Sequence, residues 1–472
     1  MSIVAMKLRN GSGAKGTQEG RNVKTDIRQA TLFPVSTRTN TSRDTYAPPW
    51  EWVEASVWTP RMLAALETNG VRGGKWHSLI DKVYAMSNLR AAWTEVRANK
   101  GAAGVDHQTI EHYERDLEAN LARLAEQLRD GNYVPQAVRR VWIPKPGSQQ
   151  GRPLGIPTVR DRVVQTALRN VIEPIFEVGF AAHSYGFRPG RGCQDALRRV
   201  EHLLEAGYTF VVDADVQSYF DTIPHAALRA RVAAKIADGR VLGLLDAFLQ
   251  QEVMSTLGAT QPEAGTPQGA VISPLLSNIY LDPLDQVMAA RGWEMVRYAD
   301  DFVILCRSQA EAEQALGEVQ DWTEKSGLKL HPEKTRVVDA TQQGGFDFLG
   351  YHFERGSQWP RQKSEQKMKD RVRALTKRTN GQSLRAIITQ LRPILQGWYE
   401  YFKHSNRGTW RPLDQWVRQR LRSLLRKRCH RKGRGRGADY QRWPNAYFEA
   451  QGLFSFVAAA ASKGQSSKRS NY

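Results

Sequence analysis

Cysteine is nearly missing from this chain. Its 472 residues include three, Cys193, Cys306 and Cys429, with no C-x-x-C pair, which excludes a disulfide framework and fits a reducing compartment. Long hydrophobic runs are missing too. None approaches the roughly 18 residues that a membrane span needs, and the N-terminus has no apolar segment of the secretory kind. A soluble, cytoplasmic protein is therefore expected. Acid is the third shortage: 48 Asp and Glu stand against 68 Lys and Arg, a formal net charge of +20 with a pI near 9.9. An excess of that size points to a polyanionic partner, above all nucleic acid. What remains is ordinary for a globular protein, with 41% hydrophobic and 25% charged residues, in a chain long enough for two or three domains.

The first 45 residues are rich in Gly, Ser, Thr, Asn and Arg and read as a mobile arm, with the first domain boundary expected near residue 60. Periodic helical patterns begin near Arg61. Residues 76–100 suggest helices that end at the Gly-rich NKGAAGVD (99–106), and 107–130 suggests one more, closed by Gly131. AVRRVWIPKP (137–146) and TFVVDADV (209–216) read as strands, and EMVRYADDFVILC (294–306) as strand, tight turn, strand. Between them, Ser273 followed by Pro274 reads as a helix cap and first helical residue. Leu276, Ile279, Tyr280, Leu284 and Val287 then recur at helical spacing. Beyond about 360 the pattern is all-helical and basic: Lys403 to Arg436 holds thirteen Lys or Arg and one acid, Asp414.

The adjacent carboxylates Asp300 and Asp301 interrupt an apolar run. A surface turn explains them, since Asp is at home in turns, and so does a metal site. Nucleotidyl transfer is served by two divalent cations about 3.5–4 Å apart, which clamp the attacking and leaving oxygens. Mg²⁺ prefers carboxylates, water and phosphates as its ligands. A strand carrying Asp215 beside a hairpin carrying Asp300 and Asp301 would supply such carboxylates from rigid elements.

The order of the motifs separates the two readings. ADVQSYFDTIPH (214–225), GTPQGAVISPLLSNIYL (265–281), YADD (298–301), GLKLHPEKTR (327–336) and FDFLGY (346–351) follow one another. The series resembles motifs A to E of reverse transcriptases, and PQGAVISPLLSNIYL is similar to the group II intron type. IPKPGSQQGRPLGIPTVRDRVVQTAL (143–168) resembles that family's fingers motif, and LRAAWTEVRANKGAAGVD (89–106) its N-terminal extension. The resemblance implies an α+β right-hand polymerase. Fingers and palm with an antiparallel palm sheet would span 61–355, with the N-terminal extension at about 75–115. A helical thumb at 356–390, a helical maturase domain X at 391–460 and a tail at 461–472 would follow.

Carried over residue by residue, the resemblance makes Asp215, Asp300 and Asp301, with the backbone carbonyl of Val216, the ligands of two Mg²⁺ ions, for which Mn²⁺ could substitute. Phe220 would exclude a ribose 2′-OH, although an ordinary core Phe would look the same. Gln268 and Gly269 would lie against the incoming dNTP, where Gly permits close backbone approach. Lys145 and Arg152 would contact its triphosphate as point charge and bidentate donor. Lys334 is a candidate proton donor to pyrophosphate. Asp213 reads as a supporting residue and Asp221 as a cap.

LRPILQGWYEYF (391–402) resembles the maturase domain. Its Trp398, Tyr399, Tyr401 and Phe402 could stack on RNA bases or fill a core. Arg418, Arg422, Arg426, Lys427, Arg428 and Arg431 are the candidate RNA contacts, or else a solvated face. Many relatives carry a further HNH endonuclease with zinc-binding Cys pairs. No second cysteine lies near Cys429, so that domain is expected to be lacking and priming to use another end, such as a nascent strand. The function implied is an RNA-directed DNA polymerase and maturase. It would bind its group II intron RNA, promote splicing and copy the RNA during retrohoming, with a template–primer duplex, dNTPs and target DNA as further partners. Alternatives are a relative domesticated for DNA repair or phage defence, and an RNA-binding splicing cofactor with a silent polymerase.

Overall fold

The computed structural model describes residues 50–68, 74–144, 151–255, 258–260, 263–266 and 268–469. Most of the arm expected over 1–60 lies outside them. Residues 50–60 do not behave as an arm. Val57 and Trp58 are buried, and the Trp58 indole donates to the Asn170 carbonyl at 3.0 Å.

An N-terminal helical layer comes first: α1 (Pro60–Glu67), α2 (Ile80–Tyr84), α3 (Met86–Ala98), α4 (Ile110–Arg115) and α5 (Leu117–Asp130). The single helix expected over 107–130 is two, broken at Asp116, whose backbone (φ −118°, ψ 38°) leaves the helical region. Gly131 closes α5 in the left-handed conformation at φ 77°. Then come β1 (Val138–Pro144), β2 (Gly151–Ile156), the almost wholly buried α6 (Val159–Glu177), α7 (Cys193–Glu205), β3 (Phe210–Asp215), α8 (Tyr219–Thr222), α9 (His225–Lys235), α10 (Gly239–Leu249), β4 (Val253–Ser255) and β5 (Gly258–Thr260). These lead to α11 (Ser273–Ala290), β6 (Glu294–Tyr298), β7 (Asp301–Cys306) and α12 (Gln309–Lys325). Ser273 is the first residue of α11 rather than its cap, with Ile272 in that place. The buried stripe of α11 ends on Met288, while Val287 is exposed.

The remaining strands are β8 (Arg336–Asp339), β9 (Phe346–Phe348), β10 (Tyr351–Glu354) and β11 (Ser357–Pro360). The last helices are α13 (Gln362–Leu375), α14 (Leu384–Phe402), α15 (Trp410–Arg428), α16 (Ala438–Arg442), α17 (Asn445–Ala450) and α18 (Phe456–Arg469). Strand β11 extends into the segment expected to be a wholly helical thumb. The boundary expected at 390/391 falls inside the continuous α14, and α18 runs into the expected tail.

Among the described residues three sheets result, ordered β2-β1-β4-β5, β6-β7-β3-β8 and β11-β10-β9. The second is antiparallel throughout. Its strands read as nearly unbroken apolar runs because both faces are covered. Val212, Ala214, Phe302 and Ile304 join one core with α6 and α9 to α12. Val211, Val303 and Leu305 join a second core with α7, β9, β10 and α13 to α15. Alternate residues thus serve two cores, and the sheet is the partition between them.

Candidate active site

The β6–β7 connection is a two-residue loop, Ala299–Asp300, because Tyr298 pairs with Asp301. Ala299 takes a positive φ of 61°, as the first loop residue of a tight hairpin can when its twist matches the strands. The loop therefore ends with its carboxylates at the strand edge. On the other side of β7, Asp215 is the direct partner of Asp301. Residues paired across an antiparallel ladder share a face at about 4.5–5.5 Å between Cβ atoms. Asp213, two residues back on β3, shares that face and faces Arg336 on β8 at 3.5 Å.

Four carboxylates thus gather at one end of the sheet. Asp301 is open to solvent but crowded by protein. Partial loss of hydration, and then the carboxylates of Asp300, Asp213 and Asp215, push its acid up to about 7, against a smaller opposing pull from Arg361. Such crowding is relieved by cations. The donor set, carboxylate oxygens and backbone carbonyl, is the one hard divalent cations take. Among the described residues no three His, Cys, Asp or Glu side chains converge tightly enough to hold an ion as they stand. In this arrangement the Lys334 ammonium bonds Oδ2 of Asp215 at 2.5 Å. The neighbouring strand segment is fixed by a His331 N–H bond to the Asp215 carbonyl (2.7 Å) and by the Val216–Leu330 bridge. The structure thus brings Asp215, Val216, Asp300, Asp301 and Lys334 to one end of the sheet.

What holds the loop was missed in the sequence. Arg297 is completely buried on β6. Its guanidinium makes a bidentate pair with Asp285 (2.7 and 2.5 Å) and donates to Asn278 Oδ1 (3.0 Å) and to the Ala299 carbonyl (2.8 Å). Asp285 and Asn278 both lie on α11. Asn278 also donates to the Gly186 carbonyl at 2.9 Å. Gly186 passes so close beneath the loop that a Cβ there would lie 2.2 Å from the Ala299 nitrogen. The available signal was an arginine inside an apolar strand, since a charge in such a run is buried only when paired.

The residues expected on the nucleotide side are brought together in part. Gly269 has a φ of 111°, and a Cβ on it would lie 2.4 Å from the Gly155 carbonyl of β2. The Gly155 N–H bonds the Gln268 carbonyl at 2.6 Å, and the Gln268 amide donates to Asp221 at 3.2 Å. This loop therefore bridges the β1–β2 hairpin and α8. Asp221 serves that bridge rather than a cap. Phe220 is 5% exposed and packs edge-on against Tyr219. Lys145 lies outside the described residues. Arg152 sits on β2 opposite Ile143, its side chain outside them too.

The C-terminal candidates divide. Arg418 and Arg422 are buried, which corrects their reading as RNA contacts. Arg418 pairs with Glu449 at 3.0 Å, and Arg422 donates to the Trp443 carbonyl and to Asn445 Oδ1. Arg426 pairs with the buried Asp439 at 2.6 Å. Arg428 donates to the carbonyls of Asn380 and Gln382. Lys427 and Arg431 are exposed. The aromatics are core: Tyr399 and Phe402 are buried, and Trp398 packs on Phe402, Trp410 and Phe456.

Paired carboxylates on an antiparallel sheet, a glycine loop against a neighbouring hairpin and basic helices behind them define a template-dependent polymerase of the reverse transcriptase class. The model of reverse transcriptase (RNA-dependent DNA polymerase) matches residues 143–353, and that of the group II intron maturase-specific domain matches 365–443. Protein YkfC of Escherichia coli (strain K12) is 35% identical over 295 residues, 54% of this chain and 77% of that protein. Group II intron-encoded protein LtrA of Lactococcus lactis subsp. cremoris is 37% identical over 197 residues, 41% of this chain and 32% of LtrA. Among solved structures, a partial Cas6-RT-Cas1–Cas2 complex aligns with a TM-score of 0.35 and 25% identity over 53% of this chain and 42% of that one. The chain belongs to the family of group II intron-encoded reverse transcriptases and maturases. Enzymes of this family are RNA-directed DNA polymerases and generally use divalent metal ions.

Proposed function

We propose that this protein binds a group II intron RNA, promotes its splicing and copies it into DNA during retrohoming, by nucleotidyl transfer with two Mg²⁺ ions. Asp215, Asp300 and Asp301, with the Val216 carbonyl, would hold the ions, which when bound supply charge neutralisation at the attacking and leaving oxygens. Mn²⁺, with the same oxygen-ligand chemistry, would substitute. The observation that carries the reading is the direct Asp215–Asp301 pairing beside Asp300, crowded enough to raise the Asp301 acid to about 7.

The chain's own groups do the rest. The Gln268–Gly269 loop presents backbone to the incoming dNTP. Phe220 fills the space a 2′-OH would enter, and the resemblance gives Lys145 and Arg152 the role of contacting the triphosphate. Lys334, held against Asp215, brings an ammonium proton into the site for departing pyrophosphate. Lys363, Lys367 and Arg371 are exposed on α13 at i, i+4 and i+8, one face of the helix. Partial burial, and then Arg361, Lys363 and Arg371, hold the Lys367 ammonium below its usual pKa. Such a like-charge stripe suits the backbone of a template–primer duplex leaving the carboxylates. Target DNA would use the same basic surface, in the cytoplasm. Replacing Asp300 with Ala should abolish primer extension on poly(rA)/oligo(dT) while RNA binding persists. Extension by that variant at the parent rate would refute the carboxylate assignment.

A further inference from the structure

Removing Arg418 and Arg422 from the RNA-facing set raises the question of which cations on the maturase side are available to RNA. A groove of about 450 Å³ between α14 and the end of α17 is lined by Arg385, Ile388, Thr389, Arg392, Gln451 and Gly452, with Ala450. Arg385 and Arg392 are exposed and seven residues apart on α14. That is two helical turns, so they project from one face about 10 Å apart along the axis. Among the described residues neither guanidinium makes an ion pair or a hydrogen bond. This sets them apart from Arg418, Arg422, Arg426 and Arg428, whose guanidiniums are all engaged within the protein.

The groove offers acceptors as well as cations. Pro393 lies inside α14 and lacks the N–H that would otherwise bond the Thr389 carbonyl four residues back. The Thr389 hydroxyl is turned to the Arg385 carbonyl at 2.9 Å. On the opposite wall α17 stops at Ala450. The carbonyls of Ala450, Gln451 and Gly452 receive no hydrogen bond among the described residues, as is usual for the end of a helix.

We infer that this groove binds a strand of RNA, with Arg385 and Arg392 on two phosphates and the flanking carbonyls accepting ribose 2′-hydroxyls. A phosphate backbone satisfies the guanidiniums through bidentate bonds. Of the polyanions that could do so, RNA brings a donor at every sugar for the carbonyl acceptors. DNA lacks that donor, and the carboxylates of an acidic peptide only accept. The inference rests on the maturase reading above and adds to it the place where the RNA lies.

The test uses the full chain, with a short, fully paired and unlabelled rA/dT duplex in excess to fill the polymerase cleft without offering single-stranded RNA. A 4-thiouridine-substituted RNA of about 15 nucleotides, within the usual span of single-strand sites, serves as the probe. Crosslinks are expected on peptides spanning 385–392 and 450–452. Replacing both arginines, Arg385→Gln with Arg392→Gln, should weaken binding about tenfold. The salt slope should fall by about 1.4, roughly 0.7 for each lost phosphate contact on a single strand. The Arg385→Lys, Arg392→Lys pair should keep most of the affinity, and primer extension by both variants should stay within about twofold of the parent, because neither residue bonds any residue placed at the carboxylates. Binding unchanged by the Gln pair overturns the groove and leaves the maturase reading standing. A parent protein that extends primers but binds no RNA under these conditions overturns both. Equal affinity for DNA of the same sequence overturns the assignment of RNA.

Discussion

Arg297 is the residue whose removal separates stability from catalysis most sharply. Replacing it with Met leaves Asp285, 3% exposed, as a buried acid without its partner, which costs about 3–5 kcal/mol. Replacing both, Arg297→Met with Asp285→Leu, removes the uncompensated charge. Swaps of that kind are often neutral or stabilising, so most of the loss should return. The Ala299 carbonyl, however, still lacks the donor that reached it at 2.8 Å. A hydrogen bond from a charged group contributes about 1.5–3 kcal/mol. A non-glycine residue at φ 61° costs about 1–2 kcal/mol, so the loop is held in place against its own backbone preference. If that bond is what sets Asp300 and Asp301, the double variant loses about 10- to 100-fold in kcat, at 1.36 kcal/mol per decade, with the template–primer KM little changed. Thermal unfolding and steady-state primer extension on poly(rA)/oligo(dT) read the two quantities. A double variant that is both stable and fully active refutes the idea that Arg297 positions the loop. A single Arg297→Met variant as stable as the parent refutes the burial argument.

Gly269→Ala places a Cβ 2.4 Å from the Gly155 carbonyl in a backbone of φ 111°. It should lower dNTP kcat/KM by about 5- to 160-fold, the equivalent of about 1–3 kcal/mol of strain, measured by dNTP titration in primer extension. Changing Lys363, Lys367 and Arg371 together to Gln should weaken duplex binding and reduce its salt slope by about 2.7, three contacts at about 0.9 each, read by anisotropy across a salt series. Glu173 on α6 is held up at about 7 by burial, against the pull of Arg169 and with the push of Glu177 and Glu95. Its folded-state pKa lies above the unfolded value of 4.5, so its contribution is full below pH 4.5 and is lost as pH rises through 7. Glu173→Gln should flatten the dependence of the unfolding midpoint between pH 5 and 8, and an unchanged pH profile would remove Glu173 as its source.

Much of the polymerase core could be read from the chain because its signals are local. The apolar strand Phe210–Asp215 ends in carboxylate, and a two-residue loop between apolar strands is a hairpin by turn chemistry alone. Strand register then brings Asp215 opposite Asp301. The errors fall where a local pattern has two physical outcomes. Arginines spaced along α15 look the same whether they face water or reach into the protein. Arg418 and Arg422 reach inward because Glu449, Trp443 and Asn445 return from later in the chain to meet them. The same uncertainty applies to Trp398 and Tyr399, whose partners Trp410 and Phe456 lie beyond any helical period. The resemblance of LRPILQGWYEYF to the maturase domain set a boundary at 391, yet α14 continues through it and through Pro393, since Leu391 and Leu395 are buried and core packing outweighs one missing hydrogen bond.

The two kinds of arginine in this chain carry the physical lesson furthest. Arg297 and Arg422 are both buried, and each is a fixed part of the frame, its donors consumed by Asp285, Asn278 and Ala299 in one case and by Trp443 and Asn445 in the other. Arg385 and Arg392 have donors left over. A net charge of +20 therefore overstates the surface available to nucleic acid, because part of it is already spent on folding. The basic residues available to RNA must be sought among those with unused donors, as at Arg385 and Arg392 in the α14 groove, and not where Arg is densest in the sequence.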